Sequence, residues 1–263
     1  MKESNVSIEL ASKYYYWKIA MAYWEAHELE AYRRFADLPS GGGFLDVGCG
    51  DGVFGKMIKE TLNIEEKMVG LDPDVNSLRS AEGLKDTYQD LFHNRAESMP
   101  FRKNTFSVAL SNQALHCMGG DPRCALKEIS RVTKRGGIFI CTIMPKESMD
   151  SLLVPSIQKR NIKRRIPMKS EISLNVWKNI INEEGMSILN IVPFMSGKRY
   201  KMWSLFMALP FRIIGLLKFI DNDTVKGISC RFMRYILSKI VEDEISFEKT
   251  EKIGSVLIVS KVN

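Results

Sequence analysis

The chain is poor in the residues that build metal centres and redox motifs. Only three histidines, His27, His93 and His116, occur in 263 residues. The five cysteines (Cys49, Cys117, Cys124, Cys141, Cys230) form no C-x-x-C pair, and none has a histidine at metal-ligand spacing. These absences argue against a zinc site and a disulfide scaffold, so no metal is expected. The N-terminus is polar and lacks the apolar core of a secretion signal, which together with the unpaired cysteines points to a reducing cytoplasm. Repeats and low-complexity segments are missing as well. One nearly apolar run, Met202–Ile220, approaches the length of a membrane span. Pro210 and Gly215 interrupt it, and Arg212 and Lys218 would each cost about 3 kcal/mol in hydrocarbon, so it is not expected to cross a bilayer.

What is present is more specific. Phe44–Gly55 reads Phe-Leu-Asp-Val-Gly-Cys-Gly-Asp-Gly-Val-Phe-Gly, and Asp72 follows in Val-Gly-Leu-Asp-Pro. An apolar strand here runs into an acidic residue and a tight glycine turn, and a helix begins beyond Gly52. Glycines suit a turn where backbone must approach a ligand closely, because a Cβ would collide with it. The helix start leaves N–H groups directed into the same crevice. A carboxylate at the end of the next strand can accept hydrogen bonds from both hydroxyls of a ribose. Together these features describe an adenosine-cofactor site.

Two cofactors compete for it. Gly50-Asp-Gly52-Val-Phe-Gly55 satisfies the dinucleotide fingerprint G-x-G-x-x-G, a weak signal alone. Asp46, however, stands before the first glycine, where a carboxylate suits a cationic aminoacyl-sulfonium end better than a pyrophosphate. A chain of this length also leaves little room for a separate substrate domain. The set Asp46, Gly48, Gly50 and Gly52 resembles the Asp-x-Gly-x-Gly-x-Gly signature of class I methyltransferases, which use S-adenosyl-L-methionine. Ala96-Glu97-Ser98-Met99-Pro100-Phe101, Phe106–Leu110 with Leu115-His116, and Val132-Thr-Lys-Arg-Gly-Gly137-Ile-Phe-Ile are similar to later motifs of the type 11 group. Arg95 and Ser107 stand where that group often has acidic residues.

The resemblance implies a Rossmann-like, doubly wound sheet of seven mostly parallel strands, the last antiparallel. A plain member of the group would have a short connection between strands 6 and 7, so the long segment Met195–Glu244 calls for a helical insertion of its own. The resemblance also implies that Asp46 anchors the aminoacyl end, that Gly48, Cys49, Gly50 and Gly52 form the turn, with Cys49 a small space-filler, and that Asp72 binds the ribose. Leu71 or Pro73 would flank adenine, and Ala96 and Glu97 would mark its edge. The pattern of the residues themselves gives strands at Phe44–Val47, Met68–Leu71, Leu91–Asn94, Phe106–Leu110, Gly137–Ile143, Ser187–Pro193 and Gly254–Val259. Helices are expected at Val53–Thr61, from Val75 to Gly83, from Asp121-Pro122 to Val132 and at Ser173–Glu184, the last closed by Gly185.

Charge is unevenly distributed. Residues 1–150 hold 19 Lys/Arg against 21 Asp/Glu, whereas residues 151–240 hold 16 against 5. Such asymmetry suggests an anionic partner. The domain reading is an N-terminal helical cap at 1–40, the cofactor core at 41–194 and 245–263, and a basic, apolar helical insertion at 195–244. The cap contains an aromatic helical stretch, Lys13–Phe35, with only a loose apolar stripe. The insertion contains two, Met202–Ile220 and Thr224–Val241. It is open whether the insertion lids an acceptor pocket, rests on an anionic membrane surface in a peripheral position, or contacts nucleic acid. Its apolar character argues against the last.

An apolar lid with a basic rim suggests a small-molecule acceptor that is hydrophobic or lipid-like. A cofactor-binding protein without turnover and an RNA methyltransferase remain the alternatives. A general base is needed only where the acceptor must lose a proton. His116, after strand 4, is the first candidate, with His27 and the Tyr14–Tyr16 run, Tyr14 foremost, next and His93 read as structural. Nothing in the sequence fixes an oligomeric state.

Overall fold

The computed structural model describes residues 6–152, 154–165, 169, 171–208, 223–241 and 253–263. Its centre is a seven-stranded sheet of β1 (Phe44–Val47), β2 (Met68–Asp72), β3 (Tyr88–His93), β4 (Phe106–Asn112), β5 (Thr133–Ile143), β6 (Met186–Ser196) and β7 (Ile253–Val262). The spatial order is β3-β2-β1-β4-β5-β7-β6. The first five strands are parallel, and β7 runs antiparallel to both β5 and β6. Order reverses between β1 and β4, which opens a crevice at the carboxyl ends of these strands.

The central strands are apolar on both faces because helices cover both. Leu45 and Val47 pack with Val69, Ala109 and Phe139 on one side, while Phe44 packs with Met68 and Val108 on the other. The alternation follows from the two-residue period of a strand. The helices are α1 (Val6–Tyr14), α2 (Ile19–Phe35), α3 (Val53–Thr61), α4 (Val75–Ala81), α5 (Pro122–Val132), α6 (Glu147–Asp150), α7 (Ser156–Arg165), α8 (Leu174–Glu183), α9 (Gly197–Ala208) and α10 (Asp223–Ile240). Local chemistry sets several ends. Asp121 caps α5 through Arg123 N, with Pro122 in the first turn, and Ser173 caps α8 through Val176 N. Gly185, at φ +80°, ends α8 in the left-handed region.

β5 begins at Thr133 and β6 ends at Ser196, each longer than the sequence reading, and three further differences shape the crevice and its cover. β3 begins at Tyr88, three residues before Leu91, because Tyr88 pairs with Met68 and its ring fills space left by Gly52, Gly55 and Gly70. The aromatic stretch Lys13–Phe35 is two helices. The bulky Tyr14–Trp17 run cannot share one stripe, and the backbone leaves the helical region at Lys18 (φ −141°, ψ 84°). The first helix of the insertion starts at Gly197, directly after β6, and is described as far as Ala208. The remainder of the expected Met202–Ile220 helix lies outside the described residues.

Cap and insertion pack as one layer over the sheet. Trp24 of α2 meets Phe194 edge-on at 5.7 Å and Trp203 of α9 at 5.0 Å, and Tyr23 meets Phe206 at 5.4 Å. Tyr200 stacks on Trp203 at 5.4 Å, and its hydroxyl donates to Ser148 O at 2.8 Å. α10 lays Met233 and Leu237 inward, and Arg234 reaches Glu9 of α1 at 3.3 Å. α2 is thus buried nearly all round, so its apolar stripe is weak in the sequence: Glu25, His27, Glu28 and Glu30 are buried among its apolar residues. No helix among the described residues is long and apolar enough to cross a membrane.

Candidate active site

The turn after β1 holds Gly48, Gly50 and Gly52 at φ of +77°, +55° and +76°. A Cβ on Gly48 would stand 2.4 Å from Ala114 Cβ, whereas one on Gly50 would project into open space. Gly48 N and Cys49 N donate to Leu71 O at 2.7 and 3.1 Å, which draws the turn against β2. Asp72 is fixed by two backbone donors, Gly50 N to Oδ2 at 2.9 Å and Asp74 N to Oδ1 at 2.8 Å. Its carboxylate is thereby held rigidly at the edge of the crevice.

Asp46 lies beneath the turn. The Tyr88 hydroxyl donates to Asp46 Oδ2 at 2.7 Å. Burial raises the Asp46 carboxyl to about 6 despite that bond, and the charge of Asp72 adds to the rise. Tyr88 carries no local signal in the sequence. Its role depends on glycines from three separate elements leaving room for its ring.

A cavity of about 310 Å³ opens above this turn. Of the expected cofactor residues, Gly48, Asp72, Pro73, Ala96 and Glu97 line it. Asp46, Cys49, Gly50 and Gly52 are not on its wall. Asp46 and Cys49 are buried behind the turn, Cys49 with its sulfur toward Gly70. Arg95, where related sequences often have an acid, bonds Glu97 at 2.7 Å on the same rim. Ser107 accepts from Lys134 Nζ at 3.3 Å near Gly42, away from the cavity.

A second cavity, of about 520 Å³, lies on the side of the cap and insertion. Its apolar wall comes from Tyr15, Trp24, Phe54, Met144, Trp203 and Met207, and its polar groups from Lys18, Glu25 and His116. Asn112, Gln113 and Cys117 line both cavities. Gln113 has φ +50°, a strained conformation for a non-glycine residue at the end of β4. Its Nε2 donates to Glu28 Oε1 and to Ser255 Oγ, both at 3.1 Å, which ties the shared wall to α2 and β7.

The structure separates the three catalytic candidates. His116 lines the second cavity. Burial lowers it to about 4, and Met144 N donates to its Nδ1 at 3.3 Å, so a neutral ring carries its proton on Nε2. The structure brings neither His27 nor Tyr14 to either cavity wall. His27 Nδ1 donates to Tyr23 O at 2.8 Å within α2, and burial lowers it to about 4 as well. The Tyr14 hydroxyl donates to Glu60 at 3.1 Å, and burial with the Glu60 charge raises its phenol. Glu25, not singled out by any motif, stands on the wall in their place.

Residues 45–141 match the type 11 group of the methyltransferase domain family. The chain is 33% identical over 150 residues to an uncharacterized methyltransferase of Schizosaccharomyces pombe, covering 51% of this chain and 53% of that one. It is 34% identical over 112 residues to a demethylmenaquinone methyltransferase of Bacillus cereus, covering 41% and 47%. The chain therefore spans about half the length of the curated relatives it matches. Among solved structures, an S-adenosylmethionine-dependent methyltransferase from Thermotoga maritima superposes with a TM-score of 0.60 at 19% identity, covering 98% of each chain. A geranyl diphosphate C-methyltransferase from Streptomyces coelicolor gives 0.58 at 13%, covering 92% and 79%. At those identities the structural likeness speaks for the fold alone. Sequence match, strand order and glycine turn agree: residues 45–141 match a methyltransferase domain, and the chain around them has the Rossmann-like α/β fold of class I methyltransferases.

Proposed function

We propose that the protein transfers a methyl group from S-adenosylmethionine to a small, largely apolar acceptor held in the second cavity. The observation that carries this reading is the wall of Asn112, Gln113 and Cys117 common to the two cavities, which sets donor and acceptor spaces side by side. The lining of the smaller cavity fits the methyl donor. Asp72 offers an acceptor oxygen to each ribose hydroxyl, and Leu71 and Pro73 suit the faces of adenine, with Ala96 and Glu97 at its edge. Gly48 lets the backbone approach the aminoacyl end, while Asp46 and Tyr88 brace the turn from below. When bound, the donor supplies an already activated methyl on a sulfonium. The chain's task is then to align the acceptor and exclude water.

The aromatic and methionine wall of the larger cavity suits a hydrocarbon or ring system. A named relative fits that class, since it acts on demethylmenaquinone. Tritiated-methyl transfer into lipid, small-molecule and RNA fractions tests the reading. Label in the lipid or small-molecule fraction is expected, and label confined to RNA would refute it.

A second reading concerns where the enzyme works. α10 exposes Ile228, Phe232 and Tyr235, with Arg231 and Lys239 also exposed on the same helix. Basic side chains beside exposed apolar ones suit an anionic bilayer, on which α10 lies at the headgroup level.

A further inference from the structure

Glu25 is a buried carboxylate that the methyl-donor site does not explain. It is 5% exposed, lines the second cavity, and its Oε2 has no hydrogen-bond partner among the described residues. Glu28, one turn along α2, is different: Trp24 Nε1 donates to it at 2.7 Å and Gln113 Nε2 at 3.1 Å. A buried carboxylate oxygen without a donor opposes folding, and a leucine or glutamine could fill the same space at less cost. Burial, then the neighbouring charge of Glu28, pushes the Glu25 carboxyl well above its usual range; Lys18 pulls it down and Asp51 adds to the rise. Tyr15, whose phenol senses Glu25, neutral His116 and Cys117, whose thiol burial raises to about 11, are the other titratable groups on this wall among the described residues.

We infer that Glu25 is the proton acceptor for a phenolic or enolic hydroxyl on an apolar acceptor bound in the second cavity. The inference rests on the methyltransferase reading above. The Glu25 carboxylate takes the hydroxyl proton. An electron pair from that oxygen, or from a ring carbon conjugated to it, forms the bond to the methyl group. The methyl–sulfur bond breaks with its pair left on sulfur, which discharges the sulfonium, and the proton passes from Glu25 to solvent. Lys18, on the same wall, stabilises the developing oxyanion and repels an ammonium, which favours a hydroxyl over a protonated amine. His116 is the weaker base, since burial holds it near 4.

The test uses the full chain with S-adenosylhomocysteine present, 1-naphthol as the hydroxyl probe and benzylamine as the cationic probe. Calorimetry of wild type, Glu25→Gln and Glu25→Asp at about pH 8 should show 1-naphthol binding weakened roughly 10-fold in Glu25→Gln and partly restored in Glu25→Asp. S-adenosylhomocysteine should bind all three alike. Glu25→Gln should also melt higher than wild type at about pH 8, by a margin that shrinks toward about pH 5, because it removes a carboxylate that burial penalises. Equal 1-naphthol binding in Glu25→Gln, or a lower melting temperature at about pH 8, would make Glu25 a structural residue and overturn the inference. Preferential benzylamine binding that disappears in Glu25→Gln would overturn it in favour of an ammonium anchor. Failure of wild type to bind S-adenosylhomocysteine at all would instead sink the methyltransferase reading beneath it.

Discussion

The two cavities, which we assign to a donor side and an acceptor side of the crevice, are built on opposite plans. The donor side comes from short strand-to-helix turns, residues 44–55, 70–74 and 95–97, with backbone amides doing most of the positioning. The acceptor side draws Tyr15 and Glu25 from the cap, Gln113 and His116 from the end of β4, and Trp203 from the insertion. Its elements touch mainly through large side chains, as in the Trp24, Phe194 and Trp203 cluster. Backbone geometry tolerates few alternatives, whereas side-chain packing tolerates many as long as volume is kept. A common donor can thus be served by a fixed turn while the acceptor wall is free to vary.

The comparison breaks most sharply at Asp72. Replacement by alanine removes the crevice carboxylate and the partner of Gly50 N and Asp74 N. S-adenosylmethionine affinity should fall about 100-fold, roughly 3 kcal/mol for two charge-assisted hydrogen bonds. Binding of 1-naphthol in the second cavity should change little. Calorimetry with both ligands decides it, and an equal loss of both would show that the two sides are not separable.

Buried titrating groups give the next largest effect. His27, with Arg199 and Glu30 nearby, is held at about 4 against its usual 6.5 by burial. The unfolded chain therefore binds the proton first. The stability contributed by neutral His27 is complete above about pH 6.5 and is lost as pH falls toward about 4. Asp46, on the donor side, acts in the opposite sense: its raised value makes stability fall as pH rises through the interval up to about 6. His27→Gln should flatten the acid limb of the stability curve by about 1–2 kcal/mol, within the ceiling set by ~1.4 kcal/mol per pKa unit. Denaturant titrations at several pH values measure it. An unchanged acid limb would mean that His27 is hydrated in the folded protein.

The same contrast decides what could be read from the sequence. Gly48 and Asp72, which line the smaller cavity, are legible because the glycine turn and the acid after β2 are local patterns, each dictated by a backbone that must bend or bond at that place. The burial of Asp46 behind the turn is not, because the aminoacyl-end reading puts its carboxylate in the crevice. Nor is Tyr88, since its contact with Asp46 needs Gly55 to leave space on a different element. His116 was found from its place after β4, but Glu25 sits on a helix whose buried acids blur the apolar period. Of the Tyr14–Tyr16 run and His27, the fold brings Tyr15 to the second cavity and turns Tyr14 and His27 away from it. The break between α1 and α2 carries Tyr15 to the cavity wall and leaves Tyr14 on Glu60.

The smallest effect tests whether the acceptor side extends to a bilayer. Phe232 and Tyr235 are each 62% exposed on α10, whereas Arg234 is partly engaged with Glu9. On that account Arg231 and Lys239 should carry the attraction to anionic lipid, at about 1 kcal/mol each near the surface. Phe232 should add a similar amount by insertion, less than full burial would give because its ring is already partly covered. Co-sedimentation with phosphatidylglycerol–phosphatidylcholine vesicles should then fall several-fold in Phe232→Ser and in Arg231→Glu. High salt should weaken wild type and Phe232→Ser in proportion, but should affect Arg231→Glu less, because part of its screened attraction is already gone. Salt-insensitive partition would assign the helix to an apolar protein surface, and no partition at low salt would leave α10 as a helix that only packs on the cap.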